Sequence, residues 1–523
     1  VTQLSEQDTR WPPRSVDMFR ISAACALASA NGLQRPAAQP AARARAPFAT
    51  IEDRGVRLAD DFDDAFGCAA LDRLGTSGPT VWTEFGDVAR TVGATFPGGV
   101  ANLGQGFPDS APPDFVLDAA RETAGAAIPA QHQYTRSAGY PPLVEIIAKR
   151  YSKHLGRDVD AMAEVAITVG ATQALLVSLM ATLRAGDEVV LVEPFFDLYI
   201  GQIRLAGGVP VTVPMSVDAE TGQWMLDAKK LQAAITPRTR LIVSNSPHNP
   251  TGKVFSKAEL EDVAVVVRAE NAARAAQKEA QRPLLVIADE VYKFIVHAEA
   301  AEHAHFASLP GMADVTLTVS SAGKTFSATG WQVGWIVGPK ALVANAQRLL
   351  PYLQFCAATP MQAALAVALQ CADAPFNDSP SYYAWLRSEY ARKHGLLVAA
   401  LTRAGIRPLA SQGGYFVVGD VSALLHLVPV HYFLAPKHNG GGGVASRDWA
   451  FCKWLAAEHG VVAIPTSPFF NADKPDAELA KTALVRFAFC KSDATLEQAA
   501  GRLFTLNPAN AASSPNDARH GAR

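Results

Sequence analysis

Six short runs of aliphatic and β-branched residues, spaced along the middle of the chain, limit its fold more than any other feature. They are "VAITVG", "DEVVLVEPFF", "VPVTVPM", "TRLIVSNSP", "PLLVIADEVY" and "VTLTVSSAGK", several closed by Gly, Pro or Asp. Helical patterns lie between many of them: "ATQALLVSLMATL" follows the first run directly, and an Ala/Glu/Arg-rich stretch covers 257–280. Strands alternating with helices imply a mostly parallel sheet with helices on its faces, and such a sheet presents ligands at the carboxyl ends of its strands. From about residue 380 the pattern changes to helices with a few strands around "GGYFVVGDVS", the mark of a smaller α+β domain.

The last run leads into "SSAGKTFSATGWQVGW" at 320–335, whose Gly-Lys pair has two readings. A phosphate-wrapping loop needs another glycine five positions before Gly323, but that position is Thr318, within the β-rich run. Strand backbone cannot wrap a phosphate, so Lys324 is either a surface lysine after a strand or an amine that does chemistry.

Composition excludes several classes of function. With 49% apolar and 18% charged residues the chain has the makings of a filled globular core, and its net charge of −2 gives no electrostatic footprint for nucleic acid. No apolar run reaches the roughly 18–20 residues that a membrane span requires. The cysteines at 25, 68, 356, 371, 452 and 490 form no C-x-x-C pairs and have no neighbouring histidines, so reduced thiols and no metal site are expected. From Met18 to Ile51 there are four arginines (20, 35, 43, 45) and no acidic residue amid abundant alanine. That composition suits a mitochondrial transit peptide, with a plastid address or a low-complexity tail of a cytoplasmic protein as alternatives. Glu6, Asp8 and Asp17 fit a presequence poorly, which leaves Met18 as a possible start.

The expected division is a leader and linker over 1–75 and an N-terminal arm with part of the small domain over 76–117. A large domain follows over 118–375, then a small domain over 376–508 carrying a glycine-rich insertion at 435–446, and a tail over 509–523.

Each strand end delivers a group with chemical use. Gly170, Ala171 and Thr172 open a helix, where unpaired N–H groups and the dipole suit a phosphate. "EPFFDLY" brings two aromatic rings, "SNSPHNPTGK" two amides, Asn245 and Asn249, and "VIADEVY" an acid, Asp289, which is costly to bury unpaired. Singly these read as a turn, core aromatics, another turn and a helix cap. Together, and in chain order with Lys324, they form the set that pyridoxal 5′-phosphate requires: phosphate cradle, stacking ring, donor to the phenolic oxygen, counter-ion to the ring nitrogen, and Schiff-base amine.

The segments "VANLGQGFPD", "QYTRSAGYPPL", "EPFFDLY", "PHNPTGKVFS", "DEVY", "SSAGKTFSATGW", "GVVAIPTSPFF" and "VRFAFCK" lie within a stretch of about residues 80–505. In order and spacing they resemble the class I aminotransferases of fold type I, within them the kynurenine aminotransferase, glutamine transaminase K and cysteine-S-conjugate β-lyase family. The resemblance implies a large domain with a mostly parallel seven-stranded sheet between helices, a small α+β domain, and a homodimer with shared active sites. It implies that Lys324 forms the Schiff base, Asp289 pairs with the pyridinium, and Tyr292 and Asn249 bond the phenolic oxygen. Phe196 covers the ring, and Gly170, Ala171, Thr172 and Ser321 bind the phosphate, with Tyr134 reaching the phosphate of the partner subunit. Arg486 would clamp the substrate carboxylate, as a planar guanidinium suits that bidentate task, beside Gly106, Trp82, Phe355 and Asn249. The implied activity is ping-pong transfer of an amino group from kynurenine, glutamine, methionine or an aromatic amino acid to a 2-oxo acid. The alternative on the same residues is β-elimination. One departure stands out: the family pattern has Lys or Arg eight residues after the lysine, where this chain has Gln332.

Overall fold

The computed structural model describes residues 68–74, 80–277, 281–299, 301–435, 445–471 and 483–507. Residues 1–67 of the expected leader and linker, 436–444 of the glycine insertion and the C-terminal tail lie outside the described residues, while the end of the expected linker forms the short helix Ala69–Leu74.

The six runs are all strands of one sheet. They are β1 (Val165–Val169), β2 (Glu188–Glu193), β3 (Val209–Pro214), β4 (Thr239–Asn245), β5 (Leu285–Asp289) and β6 (Thr316–Ser321). A seventh strand, β7 (Val333–Val337), completes the sheet in the order β1-β7-β6-β5-β4-β2-β3. It is antiparallel to both neighbours, while β2 to β6 pair parallel. Sequence reading passed over "VGWIV" because it follows the lysine motif after a few residues, with no helix to announce it. The fold is otherwise the α/β arrangement anticipated.

Buried strands explain the continuous Val/Ile/Leu runs, since a parallel sheet is covered on both faces. One face packs Leu191, Ile287 and Val319 against Leu175, Val177 and Leu179 of α1 (Gly170–Thr182) and Tyr199 and Ile203 of α2 (Leu198–Leu205). The other packs Val190, Ile242 and Val286 against Leu260, Val263 and Val267 of α3 (Lys257–Ala275). Helix α3 starts where Ser256 and Glu259 make reciprocal capping bonds, which satisfy donors that the first turn leaves open. It ends at Ala275, short of the 280 anticipated.

The carboxyl-terminal part forms an antiparallel four-stranded sheet, in the order β8-β9-β11-β10. Its strands are β8 (Arg407–Pro408), β9 (Phe416–Asp420), β10 (Ile464–Pro465) and β11 (Leu484–Ala488). The short strand Ala101–Asn102 pairs in parallel with Val461–Val462, and Ala488 N–H donates to Leu103 O. The segment 101–107 is therefore tied to this smaller sheet although it precedes the large one. Cys68, Cys356, Cys452 and Cys490 are free. Among the described residues no helix is long and apolar enough to cross a membrane.

Candidate active site

The carboxyl ends of β1, β2, β4, β5 and β6 open onto one cavity of about 370 Å³, within the usual range for a small-molecule site. At the end of β1 the chain turns directly into α1. Gly170 makes this possible with φ of +71°, and a Cβ there would lie 2.4 Å from Gln332 Oε1. Glycine is thus required both for the turn and for the close approach of the β6–β7 connection. Ala171 and Thr172 follow in the first turn, where backbone donors have no intrahelical partner.

After β2, Phe195 is buried in the core, whereas Phe196 faces the cavity and meets Tyr199 edge-on at 5.6 Å. Tyr199 donates to Asp289 Oδ2 at 2.6 Å, and Val291 N–H reaches Oδ1 at 3.3 Å. Asp289 is fully buried at the tip of β5, and desolvation pushes its carboxyl up to about 6 against the pull of those donors and Lys324. From β4, Asn245 donates to the Asp289 carbonyl at 2.9 Å and accepts from Asn249 N–H at 2.8 Å, so one amide braces both neighbours. Tyr292 is buried beside them, and burial holds its phenol protonated.

Lys324 sits in the single turn Ala322–Thr325 after β6, with Ser321 at its start. Its Nζ donates to Gly106 O at 2.8 Å, and burial pulls its pKa down to about 8. The backbone around it is held from outside, since Tyr415 donates to the Lys324 carbonyl and Tyr382 to the Thr325 carbonyl at 2.7 Å.

The opposite wall comes from the smaller sheet. Arg486 on β11 is completely buried, with its guanidinium carbon 4.0 Å from the Phe416 ring centroid and 4.9 Å from that of Trp82. It donates to Asn249 Oδ1 at 3.1 Å and to Gly104 O at 2.9 Å, while Nε has no partner. Desolvation lowers its pKa to about 10, which leaves it charged at neutrality. Trp82 Nε1 donates to Asp197 Oδ2 at 2.7 Å, and Asp197 Oδ1 is a second buried atom without a partner. Gly106 lies against this wall, where a Cβ would sit 2.6 Å from Phe416.

Of the residues singled out from sequence, Lys324, Asp289, Tyr292, Asn249, Gly170, Ala171, Thr172, Ser321, Phe196, Arg486, Gly106 and Trp82 all line this cavity, as does Gln332. Tyr134 and Phe355 do not. They pack on each other at the surface, ring centroids 4.5 Å apart, with 77% and 54% exposure. Tyr199, Asp197, Phe416 and Tyr415 were missed. The first two stand inside the quoted "EPFFDLY" and could have been weighed; Phe416 and Tyr415 come from a distant sheet, and nothing local marks them.

An α/β sheet with a lysine, a buried acid and a helix start at the ends of its parallel strands, closed by an arginine from a smaller sheet, defines a fold type I transferase. The chain belongs to the family Aminotransferase class I and II, whose match covers residues 99–503. A kynurenine--oxoglutarate transaminase of Dictyostelium discoideum is 39% identical over 440 residues, 82% of this chain and 94% of that protein. Among solved structures, N-succinyldiaminopimelate aminotransferase from Mycobacterium tuberculosis is 36% identical with a TM-score of 0.70, covering 84% of this chain and 100% of that one. YbdL from Escherichia coli, identified as a methionine aminotransferase, is 31% identical with a TM-score of 0.68, covering 83% and 98%. The protein is an aminotransferase, acting on amino acids and 2-oxo acids.

Proposed function

We propose that this aminotransferase works with pyridoxal 5′-phosphate on Lys324, and takes its amino group from kynurenine, glutamine, methionine or an aromatic amino acid. The observation that carries the reading is the pairing, across one cavity, of a buried amine and acid with a buried guanidinium whose Nε has no partner. The residues fit the cofactor. A glycine-only turn meets a helix start for the phosphate, the Phe196 ring flanks the cavity, Tyr292 and Asn249 offer donors, and Asp289 is a buried anion lacking a strong cationic partner. Once bound, the group would supply an aldehyde for the amine and a ring that accepts the electrons left when Cα loses its proton.

The chain's own groups do the rest. Arg486 orients the substrate by its carboxylate, and Asn249 already positions one of its nitrogens. The Nζ of Lys324, with its pKa lowered to about 8, is a base that can take a proton near neutrality and return it to an adjacent carbon. Asp289 keeps a positive charge opposite it in place, and the aromatic wall of Trp82, Phe107 and Phe416 excludes water. That wall suits apolar and aromatic donors and separates them by only about 1–3 kcal/mol per missing group, so broad donor use follows.

The same reading makes the enzyme a homodimer. What supports it is the exposed pair Tyr134 and Phe355, which does not line the cavity of its own chain. It also makes the enzyme mitochondrial, on the arginine-rich, acid-free composition of 18–51.

Borohydride reduction of the purified protein followed by peptide mapping tests the core of the proposal, with the label expected on Lys324. Label elsewhere would refute it. A donor and 2-oxo acid panel then sets the substrate range, and pyruvate released without any acceptor would mark β-elimination instead. Sedimentation tests the dimer, and sequencing the N-terminus of the mature protein tests the address.

A further inference from the structure

On the far side of β5 from the cavity lies a second cluster of reactive side chains. Glu290 follows Asp289 directly, and its carboxylate is buried. Among the described residues no lysine or arginine is ion-paired with it, and its partners are two imidazoles from the loop "EHAHF". His305 Nδ1 lies 2.5 Å from Glu290 Oε2 and His303 Nε2 3.3 Å from the same atom, while Oε1 accepts Phe306 N–H at 3.2 Å. The ligating atoms of the three residues all fall within 4.8 Å of one another.

The buried Lys293 ammonium acts on Glu290 electrostatically but makes no ion pair with it, its Nζ donating to Tyr151 Oη at 2.9 Å, so the positive partner in direct contact with the carboxylate is a proton or a metal ion. A proton shared with His305 satisfies Glu290 but leaves His303 stranded. That side chain is 7% exposed, its Nδ1 has no partner, and its Nε2 meets Glu290 Oε2 only at 3.3 Å, outside hydrogen-bond geometry. A metal ion satisfies all three residues together. His-x-His in extended chain turns both imidazoles to one side, and His305 has extended dihedrals. Around a four-coordinate ion with bonds of 2.0–2.2 Å, ligand atoms stand about 3.3 Å apart. The His303–Glu290 distance already has that value, and the His305–Glu290 contact needs to open by about 0.8 Å. The His305 ring is flanked by His154, tilted at 4.3 Å, and by Tyr151, edge-on at 5.8 Å. His154 is exposed, which gives an ion a way in from solvent.

We propose that Glu290, His303 and His305 bind a divalent ion of the zinc class, with water as the fourth ligand, and so fasten the loop ending at His305 to the tip of β5. Two nitrogens and one carboxylate suit zinc better than calcium or magnesium, which prefer all-oxygen shells. The expectation of no metal site rested on cysteine spacing and did not weigh this histidine pair.

The test uses the holoenzyme, stripped with chelator, dialysed, and titrated separately with Zn²⁺ and Co²⁺. Expected are one ion per chain by elemental analysis and the visible d–d absorption of four-coordinate Co²⁺, displaced by Zn²⁺. His303→Ala, His303→Gln and His305→Ala should each weaken binding by more than about 100-fold, since loss of a direct ligand exceeds loss of an outer partner. His132→Ala, an exposed imidazole elsewhere, should leave it unchanged. Failure of the wild-type protein to take up either ion stoichiometrically overturns the proposal, and so does uptake that persists in the His303 and His305 variants.

Discussion

The two walls of the cavity are built differently. Around the buried acid and amine of the large sheet the polar groups are satisfied: Tyr199 and Val291 serve Asp289, Asn245 braces Asp289 and Asn249, and Tyr382 and Tyr415, from outside that sheet, hold the backbone at Lys324. On the small-sheet side Arg486 Nε is buried without a partner, and its other bonds go to Asn249 Oδ1 in the facing wall and to Gly104 O; Asp197 Oδ1, at the start of α2 beside Trp82, is likewise bare. A buried donor left bare costs about 1–3 kcal/mol. The first wall suits a resident group, and the second keeps bonding capacity for a ligand that comes and goes.

Four measurements sharpen or break this contrast. Lys324→Ala should lower turnover by about 10⁴-fold, the upper end for a positioned acid–base group, and abolish borohydride trapping. If turnover were retained, the first wall would have no chemical role. Arg486→Lys should lower kcat/KM for amino donors by roughly 10²–10³-fold, as expected for a buried charge pair losing its bidentate partner, with the cofactor spectrum intact. A changed spectrum with normal donor kinetics would put Arg486 on the resident side instead.

Asp289→Asn addresses pH. Burial raises this carboxyl from 3.8 to about 6, so between those values the folded chain binds a proton that the unfolded chain has released. The cofactor-free protein should therefore lose stability as pH rises through that window, by roughly 3 kcal/mol from this group. Denaturant melts should show that loss in the wild type and a flatter profile in the variant. The smallest effect is expected for Gln332→Lys. It should tighten cofactor binding about tenfold by adding one charge-assisted contact. Unchanged affinity would show that the helix start and Ser321 already suffice.

What could be read in advance follows the same division. Groups at the ends of parallel strands announce themselves, because a Val/Ile/Leu run fixes the strand and the next few residues must sit at its tip. That is why Asp289, Asn249, Phe196 and Lys324 were legible. Phe416 and Tyr415 enter from a sheet whose strands are short and whose partners are far apart in sequence, so no local pattern marks them. Strand β7 escaped for a related reason: an antiparallel return needs no helix. Tyr134 and Phe355 were identified by motif alone, and the structure sets them at the surface.

That antiparallel strand has a consequence for how the site can change. Because β7 is threaded between β1 and β6, the helix start at Gly170 and the strand that delivers Lys324 are separated by two inter-strand intervals, about 10 Å in all. The gauge between the two anchor points is a property of backbone pairing and not of any side chain. Substitutions can alter what is gripped at either end, but the span itself stays fixed, so divergence in donor preference has to be written on the facing wall.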